Sequence, residues 1–315
     1  MAKSRITIVG LGLIGGSLGL ALQRGKTNFE IMGHDLDHAV AGRAQKLGAV
    51  DRTDWNLISA CEGADLIFIA TPVMAIKETL SAIAPYLKPG CIVTDTATTK
   101  WQVMRWAKEI LPDTVNFVGG DPLVSKEGTG IDAASADLFT GALYCLIPLP
   151  DAEPEAVRLL ADLVSLIGAR PYFIEAAEHD GLVAGVDHLP FILSTALLNA
   201  TSRSASWREM RRMASYTFRE ATRFASDDPH TYRDICLTNR QSIVRWIDAC
   251  LESLREVREL VAAEDGEGLE SLFTEMLATR GKWLQGVDEE QSEARRALEE
   301  AGRRGLRELL FGSRF

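Results

Sequence analysis

The run Ile6-Thr7-Ile8-Val9 is β-branched and apolar, and it passes directly into Gly10-Leu11-Gly12-Leu13-Ile14-Gly15. Beyond that Gly-x-Gly-x-x-Gly pattern, Leu18, Leu20, Ala21 and Leu22 take up helical spacing. A strand turning this sharply into a helix constrains the fold more than any other stretch. Gly10 permits the tight turn, Gly12 lets backbone N–H groups approach a pyrophosphate, and Gly15 lets the helix pack against the strand with its N-terminus aimed at phosphate. A second strand, Phe29 to His34, ends at Asp35. That acid falls about twenty residues after the glycines, where a carboxylate accepts hydrogen bonds from the adenosine ribose. The first half of the chain is therefore expected to bind a dinucleotide. Asp35 repels a 2′-phosphate, and Leu36-Asp37-His38 offers no arginine to neutralise one, so NAD is favoured over NADP.

The following segments keep the βα alternation. A helix over Val40 to Leu47 leads to a short strand near Val50, and Ala64 to Ala70 has the apolar character of a buried parallel strand. That strand ends in Thr71-Pro72-Val73, on the rim where open α/β sheets bind ligands. Cys91 to Asp95, Asn116 to Val118 and Leu143 to Leu149 are the remaining strands of this half. The cofactor-binding candidates are Gly10, Leu11, Gly12, Leu13, Ile14, Gly15 and Asp35, with Thr71, Pro72 and Asp95 on the rim. Apart from a short strand at Arg170 to Phe173, the second half has helical periodicities at Glu175–Val186, Pro190–Ser204, Ile243–Ala262 and Gly268–Leu284. The pattern predicts an α/β chain in which a Rossmann-like, doubly wound parallel sheet over residues 1–170 precedes an all-helical domain over 171–315. Residues 288–307 are charged on most faces and predict a solvated or partner-bridging helix.

Composition narrows the partners. A net charge of −10 argues against nucleic acid or an anionic membrane, and an anionic substrate then needs a local basic pocket. No uncharged apolar run approaches transmembrane length, and the first strand begins at once, without a signal peptide. Five scattered cysteines without a Cys-x-x-Cys pair predict reduced thiols, hence a cytoplasmic protein. The five histidines lie in separate segments and predict no metal site.

In the helical half, Arg219 and Arg223 are four residues apart, so that a continuing helix puts them on one face as a clamp for carboxylates. Bridging to Glu220, Asp227 or Asp228 at the surface is the competing arrangement. Lys126 is a second basic candidate for an anionic substrate. His188 is a candidate site residue, although a histidine at such a position also occurs as a satisfied core group.

To about residue 285 the chain resembles the prephenate/arogenate dehydrogenase family of tyrosine biosynthesis. The resemblance is carried by Gly10 to Ser17, Asp95 to Lys100, Gly119-Gly120-Asp121-Pro122 and Asp137 to Ala142. His179-Asp180, His188-Leu189-Pro190 and Phe218 to Pro229 with Arg233-Asp234-Ile235 add to it. The resemblance implies NAD(P) binding in the first domain, dimerisation through the helical one, and oxidative decarboxylation of a cyclohexadienol. In that reaction hydride leaves the carbon bearing the hydroxyl, the ring carboxylate departs as CO2, and aromatisation drives the step. It also implies that Thr98 lies near the nicotinamide and the substrate hydroxyl, and that Arg223 holds a substrate carboxylate.

Three departures fall at the substrate site. The family's Gly-His-Pro is Gly120-Asp121-Pro122, its Met-Ala-Gly is Leu123-Val124-Ser125, and its Ser-His-Leu-Pro-His is Asp187-His188-Leu189-Pro190-Phe191. The expected activity is NAD-dependent dehydrogenation of prephenate, with Asp121 in place of histidine as proton acceptor and Thr98, His188 and Arg223 as the other catalytic candidates. Arogenate or 4-amino-4-deoxyprephenate is the alternative substrate, because Asp121 and Asp187 can pair with an ammonium. A cofactor-binding paralogue without activity is a third possibility, motivated by the lost histidine.

Overall fold

The computed structural model describes residues 4–25, 29–124, 128–226 and 228–286. The chain opens as β1 (Ser4–Val9), α1 (Leu13–Arg24), β2 (Phe29–His34), α2 (His38–Lys46), β3 (Arg52–Thr53), α3 (Leu57–Cys61) and β4 (Leu66–Ile69). It continues with α4 (Val73–Ile83), β5 (Ile92–Asp95), α5 (Trp101–Ile110), β6 (Asn116–Pro122), β7 (Leu143–Pro148), α6 (Pro154–Leu166) and β8 (Arg170–Phe173). These strands form a single eight-stranded sheet in the order β3-β2-β1-β4-β5-β6-β7-β8. The strand order reverses between β1 and β4, which opens a crevice at their carboxyl ends.

Alternation along the buried strands assigns residues to the two faces. Ile6, Ile8, Leu66 and Phe68 join Leu18, Leu22 and Leu160 in one core. Val9, Ile67, Ile69 and Val93 join Ile76, Leu80, Val103 and Trp106 in the other. The expected parallel sheet holds from β3 through β6, but β7 runs antiparallel to β6, pairing Asp121 with Cys145. β8 then pairs in parallel with β7 and carries the sheet to Phe173, three residues past the expected division at 170. Gly119-Gly120-Asp121-Pro122, expected after a strand, is itself the end of β6, so Asp121 is fixed by sheet hydrogen bonds.

Beyond β8 come α7 (Ala176–Val183), α8 (Leu189–Ser202), α9 (Trp207–Met213), α10 (Tyr216–Ala221), α11 (Pro229–Thr238) and α12 (Arg240–Ala262). A last helix, α13, covers residues 266–286. Helices α7 and α8 are joined without a break by a π-helical turn, Ala184–His188. Pro190 has no N–H to continue the ladder, and a widened turn just before it accommodates the loss. The resulting 27-residue stretch, 176–202, is long and apolar enough by length and composition to cross a bilayer. It nevertheless buries His179, Asp180 and His188 against the neighbouring elements. Among the described residues the helical half has a small core, Ala184, Phe191, Ile235 and Ile243. Leu251, Leu254, Phe273, Leu277 and Trp283 on α12 and α13 are exposed. The predicted helix over 288–307 lies outside the described residues.

Candidate active site

The glycine turn is built for close approach of backbone. Gly10 has φ +89°, its N–H donates to the His34 carbonyl at 2.8 Å, and a Cβ there would sit 2.5 Å from the Ala70 carbonyl oxygen. A Cβ on Gly15 would lie 1.9 Å from the Gly10 carbonyl oxygen. Gly12 faces open space, with nothing within 4 Å of a Cβ. The first turn of α1 leaves its amides without intrahelical acceptors, and no side chain caps them. The buried Thr71 hydroxyl, on the rim beside Gly10, has no partner among the described residues. Free amides facing a gap, next to an unsatisfied hydroxyl, fit a dinucleotide pyrophosphate and its neighbouring groups.

Asp35 accepts from the Leu11 N–H at 2.8 Å through one carboxylate oxygen and from the Asp37 N–H at 2.9 Å through the other. Each oxygen keeps a lone pair for a ribose hydroxyl. Leu11 thereby differs from the other loop residues, since its amide is committed to Asp35 and its side chain lies in the core.

Asp95 departs from its expected place beside the cofactor. It is completely buried, and its carboxylate accepts from the Lys100 ammonium, from the Ala97 N–H at 2.9 Å and from the Gly120 N–H at 3.2 Å. No face of that carboxylate remains for a ligand. Lys100, equally buried, also donates to the Gly120 carbonyl at 2.6 Å. The pair therefore fixes the ends of β5 and β6, which carry the next group of residues.

That group has two linked parts. In the first, His179 Nε2 lies 3.0 Å from Asp121 Oδ2 and Nδ1 lies 3.0 Å from Asp180 Oδ1. Asp180 also accepts the Lys100 N–H at 2.7 Å and the Trp101 N–H at 2.9 Å, which caps α5. In the second, His188 Nε2 lies 3.4 Å from Thr98 Oγ1, and Asn239 Nδ2 lies 3.4 Å from His188 Nδ1. Asn239 donates to the Asp180 carbonyl at 2.7 Å as well, and so joins the two parts. With Nδ1 accepting from Asn239, His188 presents Nε2–H toward Thr98.

Burial sets the charges. It pushes His188 down to about 4, so this imidazole is neutral near pH 7. Burial disfavours charge on His179 too, but the hydrogen bonds to Asp121 and Asp180 outweigh it and push that pKa up to about 11. Burial raises the Asp121 carboxyl against the pull of His179. The cleft walls and the charge of Asp121 raise Asp187, although 65% of its side chain stays open to water. The Asp187 carboxylate meets the Thr98 hydroxyl at 3.5 Å.

The two arginines do not share a helical face. α10 ends at Ala221 and Arg223 begins a 3-10 turn, Arg223–Ser226, so the four-residue spacing no longer stacks them. Arg219 lies over the Tyr216 ring at 5.8 Å and Arg223 over Phe224 at 4.4 Å. Neither makes an ion pair with Glu220 or Asp228, and Asp227 lies outside the described residues. Lys126 lies outside the described residues.

The structure thus brings Thr98, Asp121, Asp187 and His188 to one end of the sheet. It gives a place to His179, Asp180 and Lys100, which the sequence marked only as parts of motifs, and adds Asn239, which no motif included. Adjacent residues on a helix point apart, so the contact between His179 and Asp180 is invisible to helical periodicity. Asn239 follows no local pattern at all.

Residues 18–173 match the family described as "Prephenate dehydrogenase, nucleotide-binding domain", and residues 175–275 match "Prephenate dehydrogenase, dimerization domain". The prephenate dehydrogenase of Bacillus subtilis is 34% identical over 278 residues, which are 86% of this chain and 74% of that protein. The cyclohexadienyl dehydrogenase of Zymomonas mobilis is 31% identical over 277 residues, 87% of this chain and 94% of the relative. The crystal structure of Synechocystis arogenate dehydrogenase superposes with a TM-score of 0.77 at 28% identity, covering 89% of this chain and 99% of that one. The ribose acid, the buried His-Asp group and the helices as far as residue 275 lie within the matched residues, and the chain belongs to the prephenate dehydrogenase family of NAD(P)-dependent oxidoreductases.

Proposed function

We propose that the chain catalyses the NAD-dependent oxidative decarboxylation of prephenate to 4-hydroxyphenylpyruvate in tyrosine biosynthesis. The observation that carries this reading is the hydrogen-bonded series from Asp121 through His179, Asp180 and Asn239 to His188 and Thr98, near the carboxyl ends of β5 and β6 and next to an uncapped nucleotide turn. The amides of Gly12, Leu13, Ile14 and Gly15 would hold the pyrophosphate, Asp35 the ribose, and Thr71 and Pro72 the rim. Asp35 favours NAD over NADP, because a 2′-phosphate would meet a carboxylate. Bound NAD supplies a hydride acceptor.

The protein residues handle the proton and the carboxylates. Asp121 accepts the hydroxyl proton through Oδ1, which makes no hydrogen bond among the described residues. Hydride and then CO2 leave the ring, and the same proton returns to the phenolate oxygen that aromatisation creates. His188, neutral, donates toward the oxygen at Thr98 and cannot compete with Asp121 for the proton there. Arg223 holds a substrate carboxylate, with Arg219 and Lys126 as further basic groups for this small anionic substrate.

Asp187 supports the second reading, arogenate or 4-amino-4-deoxyprephenate as substrate. Its carboxylate is 65% exposed at the cleft and is free to meet an ammonium. Comparing kcat/KM for the three compounds decides between them, and the first reading expects prephenate to lead.

The same reading divides the chain into a dinucleotide-binding domain, residues 1–170, and a helical domain, 171–315. It makes the protein a cytoplasmic homodimer joined through exposed apolar residues such as Leu254, Phe273 and Leu277.

A further inference from the structure

We propose that His179 is a positioning residue that keeps Asp121 ionised, its imidazole locked between Asp121 and Asp180 so that one carboxylate oxygen is left to receive the substrate proton. The inference rests on the reading of Asp121 as proton acceptor and adds a residue that this chain requires because its acceptor is a carboxylate.

The geometry admits few proton arrangements. Asp180 accepts two backbone N–H groups at the start of α5, and both of its oxygens are engaged, so it is the fixed anionic end. His179 Nδ1 must then carry hydrogen and donate to Asp180 at 3.0 Å. Nε2 faces Asp121 Oδ2 at the same distance, and one proton lies along that line. His179 is 1% and Asp121 4% exposed, so water does not screen their attraction. With the proton on Nε2, an imidazolium stands between two carboxylates, and Asp121 is an anion backed by a cation.

The other charged and titratable neighbours favour this arrangement or leave it alone. Lys100 on one side is neutralised by Asp95. Cys145 lies opposite Asp121 across the β6–β7 pair. Tyr144 stays protonated, because burial and the two aspartates raise its phenol. Asp187 and His188 lie beyond Asp121, and His188 is neutral near pH 7. Burial alone would push Asp121 toward the neutral acid, which cannot act as a base. The positive charge of His179 opposes that.

Two readouts test this, one of them independent of turnover. Nitrogen NMR of histidine-labelled protein should show one of the five imidazoles still doubly protonated at about pH 9. That signal should vanish in His179→Gln and titrate at lower pH in Asp121→Asn, which serves if the glutamine variant does not fold. Five neutral imidazoles at that pH would overturn the proposal, whether or not the protein turns over prephenate. In kinetics, His179→Gln should lower kcat/KM at neutral pH by roughly tenfold to a hundredfold. Its acid limb should move to higher pH, because Asp121 loses the cation that kept it ionised, and activity should recover as pH rises. NAD affinity should stay unchanged. An equal loss at every pH with an unmoved acid limb would contradict the proposal. If no cyclohexadienol is oxidised by the unaltered protein, the functional reading fails and the NMR result still decides the state of His179.

Discussion

The nucleotide cradle and the substrate cleft lie at neighbouring strand ends yet are made of different material. The cradle is backbone: glycines without Cβ atoms, amides at a helix start, and one acid that holds the turn in place. The cleft is made of side chains brought from β6, α7, the π-helical turn and the start of α12. Backbone geometry tolerates no substitution at a few positions and is indifferent elsewhere. A set of coupled side chains changes as a unit, and here Asp121 is paired with His179.

The joint between the two regions should be the most sensitive point. Lys100→Met removes the donor from a fully buried carboxylate and should cost about 3–5 kcal/mol of stability, measured by denaturant unfolding. Loss of less than about 1 kcal/mol would mean that Asp95 finds water or another donor. Next, Asp121→Asn should reduce kcat by about a hundredfold while leaving NAD affinity intact, measured by steady-state kinetics and calorimetry. A parallel loss of NAD affinity would merge the two regions that the account keeps apart.

The cradle answers to smaller changes. Gly12→Ala should fold normally, since nothing lies within 4 Å of the new methyl, but should weaken NAD binding by roughly tenfold through obstruction of the pyrophosphate. Gly15→Ala, whose methyl would meet a carbonyl oxygen at 1.9 Å, should instead disturb the fold itself. Equal melting temperatures for both variants would contradict this distinction. The mildest effect is expected from Asp35→Asn, which removes the charge and keeps one of the two acceptors that hold the turn. It should narrow the preference for NAD over NADP without abolishing binding, as read from the two dissociation constants.

The same contrast explains what was legible in the sequence. Gly10, Gly12, Gly15 and Asp35 act within one βα unit, so their spacing carried the turn and the fold of the first half. The run of β6 through Asp121 and the antiparallel β7 depend on pairing between segments, which no local pattern encodes. Arg219 and Arg223 had helical spacing, but α10 stops at Ala221 and separates them. The role of Asp95 was hidden because its partner Lys100 is a lysine with no exposed surface, and sequence alone expects such a residue to face water. Asn239 joins the two parts of the cleft from the boundary between α11 and α12, far along the chain from His188.

The account stands most directly on whether the cradle and the altered cleft still work together. Purified protein given NAD and prephenate should produce NADH and CO2 in equal amounts, at a rate that falls with Asp121→Asn. Tight NAD binding without NADH from prephenate, arogenate or 4-amino-4-deoxyprephenate would contradict it.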